Sequence, residues 1–343
     1  MFFPRNILGS TNENLYPHKI GQFETLFAWD VVVIEDIAYI GGNEEGLQLI
    51  DVSDPRNLTE LGHLDLGVTH GIDVLNGIAY LANYNNGLQI VNVSIPLNPT
   101  KISDYHDGGH IVDVFAVGDL IYLISGENGL EIINCSDIRH PVKIGEYNDG
   151  GNPNGVFING DLAYIAEYHA GLEIINISNP NDPKEIGGCF IGEGAYSVSV
   201  VKNIAYLCHS SDGLWILDVI DPSLPIFLGS FDNGGNVNYA FILDDLAFIS
   251  DDDDGLEIVN ITDPTNPWKI SGFYDGGHTR NVFVDDNLVF IIDIIDGLEI
   301  LELTDVSPTH NPEDDSIILL SIISTTFIAG LVLVIIIFYR KKN

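Results

Sequence analysis

HIVDVFAVGDLIYLISGENGLEIINCSDIRHPVKIGEYNDGG, running from His110 to Gly151, decides the fold. It contains three apolar runs and a shorter fourth: Val112 to Val117, Leu120 to Ser125, Leu130 to Cys135 and Val142 to Tyr147. Gly118-Asp119 is a two-residue hairpin signal. Glu127-Asn128-Gly129 turns the chain again, and Ser136 to Pro141 makes a longer turn. Four short strands in a unit of 42 residues have the dimensions of one propeller blade.

The unit recurs along the chain. Its Gly-Leu pair returns at Gly46, Gly87, Gly129, Gly171, Gly213, Gly255 and Gly297, spaced by 41 residues once and by 42 thereafter. The second run of each copy, such as Leu120 to Leu123 or Leu288 to Ile291, is apolar at both alternating positions. A strand loses its alternation when both of its faces are buried, as happens to a blade between two neighbours. Neither the shorter period of leucine-rich repeats nor helical stripes are present. The seventh copy stops after Leu301 without a fourth strand, and Pro17 to Phe23 matches Pro141 to Tyr147 in register. The N-terminal strand is therefore predicted to complete the last blade and close the ring, which removes open edges. The expected fold is all-β: a seven-bladed β-propeller of four-stranded blades over residues 16–303, closed by the N-terminal strand, with one C-terminal transmembrane helix.

The runs GLQLIDVSDPRNLTELG (Gly46 to Gly62) and GLEIINISNPNDPKEIG (Gly171 to Gly187) resemble the LVIVD-repeat family of surface-associated propellers. The resemblance covers Tyr16 to Ser307 and implies a fold more than an activity. The family's Asp before Val-Ser/Thr stands at Asp51 and Asp218 and is Asn at Asn92, Asn134, Asn176 and Asn260. Either residue can hydrogen-bond its own backbone and set the turn. Four of the five glycosylation sequons (Asn57, Asn92, Asn134, Asn176 and Asn260) fall in that repeated turn, so repetition accounts for them.

The chain has 343 residues and a formal charge of −37. Such a surface repels phosphates, which argues against nucleic acid, and favours cations and basic proteins as partners. Three cysteines in three different repeats, Cys135, Cys189 and Cys208, make no disulfide framework. Residues 316–339 form an uncharged stretch long enough to span a bilayer, behind a tether at 304–315 and ahead of Arg340, Lys341 and Lys342 in the tail 340–343. The positive-inside rule places that tail in the cytoplasm and the propeller outside a cell membrane. Residues 1–15 read as an extension with no apolar run of signal-peptide length, which leaves a tail-anchored, cytosolic propeller as the alternative.

Two places are candidate sites. The start of the inner strand lines the channel in a propeller, and that column with its upstream neighbours includes Trp29, Asp30, His70, Asp113, Asn154, Tyr196, Asn238, Tyr239 and Arg280. Variation on a regular scaffold is where a ligand site is expected; Arg280 would neutralise Asp30 there. The loops on one rim carry many acids, with Asp251, Asp252, Asp253 and Asp254 in succession and His70, His110, His209 and His278 nearby. Carboxylate oxygens suit a hard cation such as Ca²⁺, the cofactor these loops would take. The competing reading is that Asp-Gly-Gly is turn chemistry. No nucleophile elbow, zinc-protease helix or phosphate loop is found. The expected function is a membrane-anchored, non-catalytic binding or adhesion module taking glycans, basic proteins or cations. Its alternatives are a hydrolase or lyase at the channel mouth, marked by convergence of Asp30, Asp113, His70 and Arg280, and a structural envelope component.

Overall fold

The computed structural model describes residues 15–25, 27–42, 46–232 and 234–305. Seven four-stranded antiparallel sheets surround a central channel. Blades 1 to 6 occupy residues 28–64, 69–105, 111–147, 153–189, 195–231 and 237–273. Blade 7 takes its inner, second and third strands from Thr279–Asp285, Leu288–Asp293 and Gly297–Thr304, and its outer strand from Tyr16–Phe23. That outer strand pairs from Tyr16 with Thr304 to Phe23 with Leu298, and Ile20 bulges out of the ladder as Ile144 does in blade 3. The predicted closure is therefore reproduced down to the bulge.

Second strands are buried on both faces, as their unbroken apolar runs require. Among the described residues the core divides into seven clusters, one per blade interface. Tyr80, Leu88 and Ile90 of blade 2, for example, pack with Val114, Ile121 and Leu123 of blade 3. The turn after each third strand is set as its sequence implies. Oδ1 of Asp51, Asn92, Asn134, Asn176, Asp218 and Asn260 accepts a hydrogen bond from the backbone N–H two residues on, at 2.8–3.0 Å. This cap ends blade 3's third strand at Asn134, so Cys135 falls outside the strand that its apolar run suggested. All three cysteines are free; Cys135 and Cys208 are buried.

Asp-Gly-Gly divides its labour between its two glycines. Gly276 has φ +112, a left-handed conformation with open space where a Cβ would stand, and does the turning. Gly277 has no such φ; a Cβ there would overlap the carboxylate of Asp293, a 2 % exposed residue at the end of the second strand. The pair Glu44-Glu45, the tether beyond Asp305 and the expected membrane span lie outside the described residues. No helix among the described residues is long and apolar enough to cross a membrane.

Candidate binding site at the channel mouth

Each blade interface carries at least one side-chain clasp along the channel. Asp30 Oδ2 accepts from Ile72 N–H at 2.8 Å, joining blades 1 and 2. Asp73 Oδ2 accepts from Ala116 N–H at 2.7 Å, and Asp113 Oδ2 from Val156 N–H at 2.8 Å. Asn154, Ser199 and Asn238 donate to the carbonyls of Ala195, Ala240 and Thr279. Asn281 Nδ2 donates to Asp30 Oδ1 at 2.7 Å and closes the circle. Polar side chains there add to the apolar contacts between blades. Burial raises the carboxyls of Asp30 and Asp113 to about 7 despite their amide donors, and burial also raises Asp73.

The ring of Asp30, Asp113, Gly155, Ser197, Tyr239 and Asn281 is shared by two cavities. The upper one, about 530 Å³, opens at the rim of inter-blade loops. All nine residues expected at the channel mouth line it. The lower one, about 280 Å³, is walled by Val32, Phe115, Phe157, Phe241 and Phe283. This apolar half lies outside the expected site, although its residues stand two positions beyond the ring column.

One side of the mouth is a row of stacked rings. The Arg280 guanidinium lies 5.5 Å over Trp29. Trp29 and His70 centroids are 4.8 Å apart, His70 and Tyr84 4.9 Å, and Tyr84 and His110 4.4 Å. His110 Nδ1 ends the row 2.6 Å from Glu127 Oε1. Burial lowers the His70 imidazole, which favours its neutral form. Tyr196 and Tyr168 meet edge to face within the same rim. Tyr84 was absent from the expected site, since it comes from a second-to-third-strand loop rather than the inner-strand column.

One expected contact is corrected. Arg280 does not neutralise Asp30: its Nη1 donates to Asn238 Oδ1 at 3.3 Å and its Nη2 lies 4.0 Å from Asp252 Oδ1. Asp30 is satisfied by the backbone and Asn281 instead. Among the described residues no hydrogen bond links Asp30, Asp113, His70 and Arg280, because the two acids hold backbone amides and His70 is sandwiched between rings. The four successive acids divide between a strand end and a turn. Asp251 is fully buried at the end of the second strand, while Asp252, Asp253 and Asp254 form a short 3-10 turn. Asp252 and Asp253 approach His278 Nδ1 at 3.2 and 3.0 Å, a grouping that could hold a metal ion. Burial, then repulsion from Glu257, raises Asp251 to about 7.

The LVIVD repeat model matches residues 27–65, 66–107, 108–149, 150–190, 192–233 and 234–274. Blade 7 lies outside these matches, and it is the blade assembled from both ends of the chain. No curated protein matches the sequence. Among solved structures, the propeller domain of Myceliophteria thermophila Cps50 (Swd1) is similar with TM-score 0.69 and 8 % identity, covering 84 % of this chain and 100 % of that one. The computationally designed Ika8 protein gives TM-score 0.62 and 8 % identity over 81 % and 83 %. The N-terminal domain of Nup159 gives 0.59 and 10 % over 87 % and 98 %. At such identities the likeness is one of fold alone.

Proposed function

This chain belongs to the LVIVD-repeat family, and from that premise we propose that it is an interaction module whose ligand seats in the channel mouth, on a propeller held to a membrane by residues 316–339. The observation that carries the reading is the row Arg280, Trp29, His70, Tyr84, His110 and Glu127 around a cavity of about 530 Å³. Ligand sites are concave, of this size, and lined by aromatic groups with a few oriented polar ones. The rings of that row line the cavity and carry N–H and O–H groups. Together with the other polar residues that line the mouth they suit a hydroxyl-rich ligand, so the ligand class is a glycan. The acidic surface supports the same choice over a phosphorylated ligand.

The third strand of blade 7 runs from the rim at Gly297 to the opposite face at Thr304. An anchor following it would turn that opposite face toward the bilayer and the mouth away from it. Arg340, Lys341 and Lys342 favour a cytoplasmic tail and an external propeller. The hydrolase alternative takes second place because Asp30 and Asp113 spend their oxygens on backbone amides.

Glycan-array binding by the full chain, compared with Trp29→Ala and Arg280→Ala, tests the proposal. Each variant is expected to bind at least tenfold more weakly, about 1.4 kcal/mol. Glycan binding that survives both substitutions would remove the mouth as the site.

A further inference from the structure

Below the polar ring the channel changes character. Two positions beyond the ring column, blades 3, 4, 6 and 7 each carry a phenylalanine: Phe115, Phe157, Phe241 and Phe283. Blades 1, 2 and 5 have Val32, Asp73 and Ser199 there. Phe115 and Phe157, on neighbouring blades, meet edge to face with centroids 5.4 Å apart. Phe241 and Phe283 are 5.1 Å apart, tilted at 57°. Blade order sets these two pairs on nearly opposite sides of the channel. Phenylalanine is among the residues most often fully buried, yet all four are only half-buried, and all four line the lower cavity.

The carboxyls at the top of this chamber are committed to the protein. Asp30 accepts from the N–H groups of Val31 and Ile72 and from Asn281, Asp113 from Val114 and Val156, and Asp73 from Ala116. Burial holds Asp30 and Asp113 at about 7, so neither carries a full charge at neutral pH. Two positions below the phenylalanines, Val117, Asn159 and Asp285 are exposed, so the chamber opens on the face opposite the mouth. Water against phenyl rings lacks hydrogen-bond partners, and an apolar group that displaces such water gains affinity. The cavity of about 280 Å³ is nearly twice the roughly 150 Å³ in which an engineered apolar cavity binds benzene. One substituted ring has room there.

We propose that the lower chamber is a second binding site, which takes a small uncharged aromatic group between the Phe115–Phe157 and Phe241–Phe283 pairs. Offset and edge-to-face contacts favour an aromatic ring over an aliphatic one of the same area. The chamber offers a charged occupant no free carboxyl, because the backbone and Asn281 already hold those three. The ring shared by the two cavities lies between this chamber and the mouth. The site therefore stands or falls independently of glycan binding.

The test is calorimetric titration of the full chain with tert-butylbenzene and with its cationic isostere, trimethylphenylammonium, for the parent, Val32→Phe, Phe283→Ser and Trp29→Ala. The parent is expected to bind one equivalent of tert-butylbenzene saturably and the cation more weakly. Val32→Phe gives blade 1 the residue of blades 3, 4, 6 and 7 and fills the chamber; it should weaken tert-butylbenzene binding by about tenfold or more. Phe283→Ser copies Ser199 of blade 5 and removes one wall, with a loss of the same order. Trp29→Ala, at the mouth, should leave the isotherm unchanged. Comparing the parent with Val32→Phe isolates the chamber from any uptake elsewhere on the chain. An unchanged isotherm in Val32→Phe overturns the proposal even if Phe283→Ser does not fold. So does a parent that binds no tert-butylbenzene saturably. Tighter binding of trimethylphenylammonium also overturns it, and would give the chamber to organic cations instead.

Discussion

Asp113 grips two blades at once: its Oδ1 accepts from Val114 N–H and its Oδ2 from Val156 N–H, each at 2.8 Å. Asp113→Ala should therefore lower stability by about 1–3 kcal/mol, the cost of leaving buried amides unpaired, as measured by denaturant unfolding. A change below roughly 0.5 kcal/mol, the size of a neutral surface substitution, would deny it a structural role. Gly277 makes a complementary case. Gly277→Ala should cost about 1–3 kcal/mol through overpacking against Asp293. Asp293→Gly, which copies Gly42 of blade 1, should recover part of that loss in a double-mutant cycle. At this scale the sequence was half legible. The Asn and Asp turn caps were readable because their partners lie two residues away. The clasp made by Asp113 was not, since its partner Val156 is 43 residues on and only closure of the ring brings it near.

The closing strand is the element on which the ring depends. Its Lys19 holds Asp275 and the 1 % exposed Glu299. Lys19→Met should destabilise by roughly 2 kcal/mol, less than the 3–5 for a fully buried pair because Lys19 keeps about a quarter of its exposure. Thermal or urea unfolding would show it, and a neutral result would mean that backbone pairing alone secures the blade. Closure itself was legible, because Pro17 to Phe23 repeats the outer-strand pattern out of place. What the strand touches was hidden by the repeat, in which the same lysine position faces Glu131, Glu257 or Glu299 and, in blade 4, has become Glu185. The channel followed the same logic: its inner-strand column was readable by period, whereas Tyr84 entered from a loop and completed the stacked row.

Across the whole molecule, many carboxyls titrate above their ordinary range. Burial raises Asp30, Asp113 and Asp251 to about 7 and Glu173 to about 8. Their unfolded values lie near 4, so between about pH 4 and pH 8 the folded state holds protons that the unfolded chain has released. Stability is then greatest near the lower end of that window and falls as pH rises through it. In chelator, the melting temperature at pH 5.5 should exceed that at pH 8 by at least about 2–4 °C; a flat or opposite profile would contradict the assigned burial. The charge of −37 acts with the same sign, and added salt should raise the pH 8 melt by screening it.

Blade 7 joins the first strand of the chain to the last, with Phe23 beside Leu298. During synthesis the first strand leaves the ribosome long before its partner exists. At translation rates of about 5–20 residues per second, it waits on the order of 15–55 seconds as an unsatisfied edge. Nascent chains thus pass through a stage at which six blades can form and the seventh cannot, and ribosome stalling before Gly297 should prolong it. Over that interval a holding chaperone, or the export machinery if the propeller is secreted, has its longest access to the N-terminal segment.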